Sequence, residues 1–203
     1  MQLYRLHARD SAHWRKQAST DLLTGISNRA AILEEAALMV AAAPEQGLYV
    51  VVALADLDHF KQVNDLHGHL AGDHVLVATA RCLKGALRQS DRVGRYGGEE
   101  FLILATVREM EHAAQVAQRL LSALHAEHVP VPGGTVALTM SVGVAIHRLG
   151  DTLEETIARA DEALYTAKRA GRDRWVTWEP ATAVLPRAEG EDRPHRPAPA
   201  HHA

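Results

Sequence analysis

Four carboxylates in two short stretches are placed to do chemistry in this 203-residue chain. Glu99 and Glu100 directly follow Gly97 and Gly98 in the stretch Arg95-Tyr96-Gly97-Gly98-Glu99-Glu100-Phe101, and Asp56 and Asp58 stand where the apolar run Leu48-Tyr49-Val50-Val51-Val52-Ala53-Leu54-Ala55 ends. Carboxylate oxygens of this kind hold hard divalent cations. Glycines have no Cβ, so they let a phosphate or a base approach the backbone, and they can take the positive φ values that a two-residue hairpin turn needs. The pattern reads as a turn for a metal and a nucleotide, although an isolated copy would be read as a solvated hairpin.

Asp56 and Asp58 are two apart and share a face while the chain is extended. The chain is expected to turn here, so Asp56 is favoured as the ligand and the other acid is left to the fold. Lys61 follows closely and offers a compact positive charge to β- or γ-phosphate oxygens. The turn from Asp56 to Phe60 also offers backbone N–H groups to such oxygens. Asn64, Asp65, Gly68, His69, Gly72 and Asp73 come next, a density of polar and small residues that a plain strand-to-loop junction does not require.

The elements that must position these groups follow from periodicity. The run from Leu48 is apolar at every position, as in a strand buried on both faces that delivers chemistry at its C-terminal end. Helical spacing covers Arg29 to Ala43, stopping before Pro44 and Gly47, and again about Ala71 to Leu87 and 109 to 126. Phe101-Leu102-Ile103-Leu104 reads as the second arm of the glycine hairpin, and Thr135 to His147 alternates as one strand. A last helix, about Leu153 to Ala170, places Ile157, Ala160, Leu164 and Ala167 on one face and ends near Gly171. The order β-α-α-β-β-α-β-α-β predicts a mostly antiparallel or mixed sheet with helices packed on it.

Composition narrows the function classes. A formal net charge of −3, from 22 Lys and Arg against 25 Asp and Glu, provides no global basic field for a nucleic-acid polymer. The single cysteine, Cys82, excludes an internal disulfide framework and is expected to fill core. No apolar stretch approaches the roughly 20 residues that span a bilayer, so neither membrane nor export is expected and the location read is cytoplasmic. Thirteen histidines are scattered without HExxH or Cys/His ligand spacing. The expected division is a polar lead-in helix over residues 1–18, one domain over 19–178 and a disordered Pro/His-rich tail over 179–203, where five of eight prolines lie.

Four separated motifs, in this order, resemble the GGDEF-domain diguanylate cyclases: Asp21-Leu22-Leu23-Thr24-Gly25-Ile26-Ser27-Asn28-Arg29, the block from Asp56 to Asp73, Gly97 to Phe101 in its GGEEF form, and Ala160-Asp161-Glu162-Ala163-Leu164-Tyr165-Thr166-Ala167-Lys168. The resemblance implies a palm-like nucleotidyl-cyclase α/β fold whose mostly antiparallel central sheet is flanked by helices. It implies condensation of two GTP into cyclic di-GMP across a homodimer, with two Mg²⁺ per active site and Mn²⁺ as the alternative. Asp56, the Leu57 carbonyl and Glu99 occupy the family's metal-ligand positions. Glu99 is also placed to assist deprotonation, and Glu100 is a further metal candidate. Lys61 falls at one phosphate contact, Lys168 and Arg172 at a second clamp, and Phe60, Gly97 and Gly98 line the nucleotide.

Asn64 and Asp73 match the guanine-selecting positions, and their chemistry agrees: a carboxylate accepts from N1–H and the 2-amino group, and an amide donates to O6. Arg88-Gln89-Ser90-Asp91 matches the family's inhibitory RxxD, where cyclic di-GMP binds as product and inhibitor, with Arg119 as a third arm; the plain alternative is an exposed salt bridge. A silent GGDEF module that binds GTP or cyclic di-GMP and regulates a partner is the alternative function. The full set of acids, glycines and lysines argues for the enzyme.

Overall fold

The computed structural model describes residues 19–179. The lead-in helix expected over 1–18 and the tail expected beyond Glu179 lie outside the described residues.

The apolar run forms β1 (Tyr49–Leu57), the centre of a five-stranded sheet. Its neighbours are β3 (Glu100–Val107) on one side and β6 (Met140–Ile146) on the other, both antiparallel to it. β2 (Arg92–Arg95) lies outside β3 as its antiparallel partner, and β7 (Trp175–Thr177) lies outside β6 as the one parallel neighbour. The order β2-β3-β1-β6-β7 is therefore mostly antiparallel.

Helices cover both faces, which is why β1 reads as unbroken hydrophobicity. Residues alternate along a strand, so Val51, Ala53, Ala55 and Leu57 point with Phe101 and Ile103 to one face and Val50, Val52 and Leu54 point with Leu102 and Leu104 to the other. The first face packs on α3 (His69–Ala86) and α4 (Ala113–His125) through Val75, Leu83, Leu120 and Leu124. The second packs on α1 (Arg29–Ala42) and α5 (Leu153–Arg169) through Ile32, Ala36, Ala160 and Leu164. A short helix, α2 (Phe60–His67), links β1 to α3. Cys82 is free and packs against the first cluster, as expected.

Local chemistry starts and stops these helices. The Asn28 side chain accepts from Ala31 N–H at the head of α1, and α5 begins with a full capping box in which Thr152 and Glu155 each satisfy the other's backbone N–H. One glycine fixes how closely α5 approaches the sheet: a Cβ on Gly143 would stand 1.9 Å from the Ala160 carbonyl oxygen and 2.2 Å from Leu164 N. The helix backbone lies directly on β6.

Two expectations are corrected. Thr135 to His147 is not one strand: β5 (Gly134–Ala137) pairs with β4 (His128–Val131) in a separate hairpin, and β6 begins at Met140. Leu138 and Met140 are both buried, so the alternation runs unbroken across the junction although the pairing partner changes; alternation reports faces and not partners. Nor do Gly97 and Gly98 form a two-residue turn, since neither adopts a positive φ. The β2–β3 connection spans residues 96–99 and closes through Tyr96 N–H donating to the Glu100 carbonyl at 2.8 Å.

Candidate active site

The C-terminal end of β1 delivers Asp56 to a largely buried position, 8% exposed. Glu100 is its cross-strand partner on β3, so two carboxylates start face to face, an arrangement that costs stability unless a cation intervenes. The cation the chain itself supplies is Lys168 in the last turn of α5, whose Nζ lies 2.9 Å from Asp56 Oδ2. Even so, burial pushes the Asp56 carboxyl above its usual range, with Asp58 adding to the rise against the pull of Lys168 and Arg172. Glu99 is raised too, first by burial and then by the charge of Asp56. The pocket holds more negative charge than Lys168 neutralises.

Asp58 serves the fold. Its Oδ1 accepts from Ser141 Oγ at 2.8 Å and its Oδ2 from Asp173 N–H at 2.9 Å, so one carboxylate ties β1, β6 and the loop after α5 together. The next residue, His59, takes a left-handed φ of 59° and turns the chain into α2. Not every N–H of the Asp56–Phe60 turn is open to a ligand: Leu57 N–H donates to the Glu99 carbonyl and Asp58 N–H to that of Thr139. The N–H groups of Phe60 and Lys61, first in α2, precede any acceptor within their helix.

The glycine hairpin is braced from below by Arg95. Its Nε and Nη2 donate to the Gly98 carbonyl at 3.0 and 2.8 Å while Nη1 reaches Asp21 at 3.2 Å. Asp21 in turn accepts from Thr24 N–H and Oγ1, which with Arg95 hold its carboxyl below the usual range despite burial. Open space lies where a Cβ on Gly98 would point, whereas one on Gly97 would stand 2.3 Å from Glu100 Oε2, so the Glu100 carboxylate folds over Gly97.

The α2–α3 corner brings Asn64 against Gly72, the residue before Asp73. The Asn64 Oδ1 lies where a Cβ of Gly72 would be, 2.0 Å from that position, and the Phe60 ring abuts the same spot. Asp73 follows Gly72 on α3, half-buried. Lys61 is exposed in the first turn of α2, and Arg172 is exposed beyond α5. A third cluster stands apart. The Asp91 carboxylate is buried, accepts from Arg88 N–H at 3.0 Å and lies 3.6 Å from Arg119 Nη2, while Arg119 Nε donates to the Ala86 carbonyl. The exposed Arg88 side chain stands with them on a cavity of about 400 Å³. Asp91 thus holds its own turn and Arg119 as well; it is no exposed salt bridge.

Comparison with known proteins decides the family. The chain matches the family described as "Diguanylate cyclase, GGDEF domain" over residues 18–174. It belongs to the GGDEF family. This GGDEF domain is 43% identical over 160 residues to the diguanylate cyclase DgcP of Pseudomonas aeruginosa, covering 79% of this chain but 24% of that protein. It also resembles the diguanylate cyclase SiaD of P. aeruginosa, solved in complex with its activator SiaC, at 40% identity and a TM-score of 0.77 over 87% of this chain and 68% of that one. The coiled coil and GGDEF domain of DgcB from Caulobacter crescentus, solved with c-di-GMP, matches at 30% identity and a TM-score of 0.79 over 87% and 93% of the two chains. The palm-like fold is therefore established. The chain spans 24% of the length of DgcP and 44% of that of the diguanylate cyclase A of Treponema denticola.

Sequence reasoning gave no role to Arg95, Ser141 or Asp173. Arg95 lay inside the quoted hairpin stretch and Asp21 inside a quoted motif, but their 74-residue separation hides the pairing. Nothing in the pattern around Ser141 signals a bond to Asp58. Among the described residues, no three His, Cys, Asp or Glu side chains cluster to hold a metal. A cation here would take two carboxylates plus backbone and substrate oxygens, a set suited to Mg²⁺. The excess negative charge at Asp56 and Glu99 fits that group. No helix of the described residues is long and apolar enough to cross a membrane.

Proposed function

We propose that this chain is a diguanylate cyclase that condenses two GTP into cyclic di-GMP and releases two pyrophosphates, acting in the cytoplasm as a homodimer in which each protomer presents one GTP to the other. The observation that carries this reading is the junction of Asp56, Glu99 and Lys168 beside an open glycine hairpin, in a family of cyclases. Each new bond joins a 3′-oxygen to the other nucleotide's α-phosphorus, and each bond broken is the α–β phosphoanhydride.

Asp56, the Leu57 carbonyl and Glu99 would hold two Mg²⁺ ions, which when bound supply charge neutralisation at the phosphates and a lower pKa for the attacking hydroxyl. Glu100, folded over Gly97, is a further donor. Glu99 would also accept the 3′-hydroxyl proton. Lys61 and Phe60 N–H receive β- and γ-phosphate oxygens at the head of α2. Lys168 exchanges its bond to Asp56 for the phosphates, with Arg172 beside it. Gly97 and Gly98 leave room for the nucleotide. Asn64 and Asp73 read guanine, and because a mispaired buried polar group is costly, ATP is rejected.

Arg88, Asp91 and Arg119 would bind the product. The free Arg88 fork takes guanine O6 and N7, while Asp91 and Arg119 are already positioned by the fold. Incubation of the purified protein with GTP and Mg²⁺, followed by nucleotide chromatography, tests the proposal. Cyclic di-GMP and pyrophosphate are the expected products, and GTP bound without turnover would instead identify a nucleotide-binding regulatory module.

A further inference from the structure

The loop after α5 carries three successive residues in left-handed backbone: Gly171 at φ 114°, Arg172 at 62° and Asp173 at 47°. Two of these are not glycine, and such conformations persist only where the surroundings over-determine them. The loop is accordingly tied at several points. Arg172 N–H donates to the Ala167 carbonyl at 3.1 Å, Arg174 Nε donates to the Arg172 carbonyl at 2.9 Å, and Asp173 N–H donates to Asp58 Oδ2 at 2.9 Å. The side chain of Asp173 is tied to a further element: His125 Nε2, in the last turn of α4, stands 2.5 Å from Asp173 Oδ1.

We infer that His125 is a positioning residue that, through Asp173, holds Arg172 toward the phosphate side of the active site. The chain of contacts is short: His125 grips the Asp173 carboxylate, the Asp173 amide is bonded to Asp58, and Asp58, two residues from the site's Asp56, is bonded to Ser141. Arg172, adjacent to Asp173, already acts electrostatically on Asp56. Without the imidazole, the Asp173 carboxylate has no partner on α4, and the strained pair keeps only its backbone N–H bonds to Ala167 and Asp58 and the Arg174 bond to the Arg172 carbonyl. Arg172 then samples more positions, and its contact with phosphate loses its preorganisation. His125 itself touches no reacting atom.

The inference rests on the proposed function for what Arg172 binds, so its test carries an arm independent of turnover. Three proteins are compared: wild type, His125→Ala, and His125→Gln, whose amide nitrogen can replace Nε2 as donor. His125→Ala is expected to raise the half-saturating GTP concentration by about threefold or more, the scale of one exposed charge-assisted bond. Its kcat should stay within about twofold, as loss of uniform binding requires. The Asp173 amide, followed by hydrogen exchange in NMR, should exchange faster in His125→Ala, and His125→Gln should restore both readouts. Unchanged GTP dependence with faster exchange would overturn the role in positioning Arg172, and raised half-saturation with unchanged exchange would overturn the route through Asp173. A His125→Gln protein as impaired as His125→Ala would overturn the hydrogen bond as cause. Should the wild type make no cyclic dinucleotide, the proposed activity falls, and GTP binding by calorimetry on the same proteins decides the inference in place of turnover.

Discussion

Lys168 Nζ stands 2.9 Å from Asp56 Oδ2, so the last turn of α5 closes an ion pair over the end of the central strand. The pair joins residues 112 positions apart (168 − 56) and places one positive charge among three carboxylates, those of Asp56, Glu99 and Glu100. The imbalance left over underlies the predictions for metal and pH.

Glu99→Gln keeps the size of the side chain and removes its charge. Cyclic di-GMP formation is expected to fall roughly a thousandfold, about 4 kcal/mol of barrier, while the melting temperature stays at or above that of wild type because a raised carboxyl has been neutralised. Retention of more than about a tenth of wild-type turnover with the same Mg²⁺ requirement would remove Glu99 from the ligand set.

The raised carboxyls set a sign for pH. A folded-state pKa above the unfolded value contributes stability that is present at low pH and lost as pH rises through the folded value. Asp56 and Glu99 are therefore expected to make the metal-free protein less stable as pH rises above the ordinary carboxylate range. Mg²⁺ should restore stability at neutral pH, and less so at acid pH where protons compete. Thermal melts with and without Mg²⁺ at several pH values check this, with Asp56→Asn as the control expected to flatten the dependence. A metal-induced shift that grows on acidification contradicts it.

Asp73→Asn turns an acceptor for guanine N1–H into an amide that can present a donor. A mispaired buried group costs about 1 to 3 kcal/mol, so GTP affinity should drop about tenfold in titration calorimetry. Equal affinities in the two proteins would move guanine recognition away from the α2–α3 corner.

Arg88→Ala separates activity from feedback. The turn survives because Asp91 is held by the Arg88 backbone N–H and not by its side chain, so initial turnover should match wild type. The cyclic di-GMP needed for inhibition should rise at least about tenfold, as loss of a bidentate guanine contact implies. Progress curves with added product measure it, and inhibition at an unchanged concentration would reduce the cluster to a structural one.

Gly143→Ala tests the fold without reference to activity. The new Cβ would meet the α5 backbone at 1.9 and 2.2 Å, and backbone cannot rotate aside as a side chain can. Destabilisation of about 1 to 3 kcal/mol or more is expected, read as a lower denaturation midpoint. A variant as stable as wild type would show that α5 can lift from β6.

What the sequence by itself determined was the local chemistry and the faces: the doubly buried β1 from its unbroken apolar run, the α5 register from Ile157, Ala160 and Leu164, and the acids and lysines from their types and order. These are readable because side-chain period and composition are properties of neighbouring residues. Pairing partners were decided only by the tertiary structure. Whether the 135–147 stretch was one strand or two, and whether the hairpin glycines needed positive φ, depended on hydrogen bonds to β4, β1 and Glu100. The different partners of Asp56 and Asp58, Lys168 for the one and Ser141 and Asp173 for the other, likewise emerge only in the folded chain. Such contacts join residues 83 and 115 positions apart, and no local pattern encodes them because each partner's type is satisfied equally well by solvent until the chain has folded.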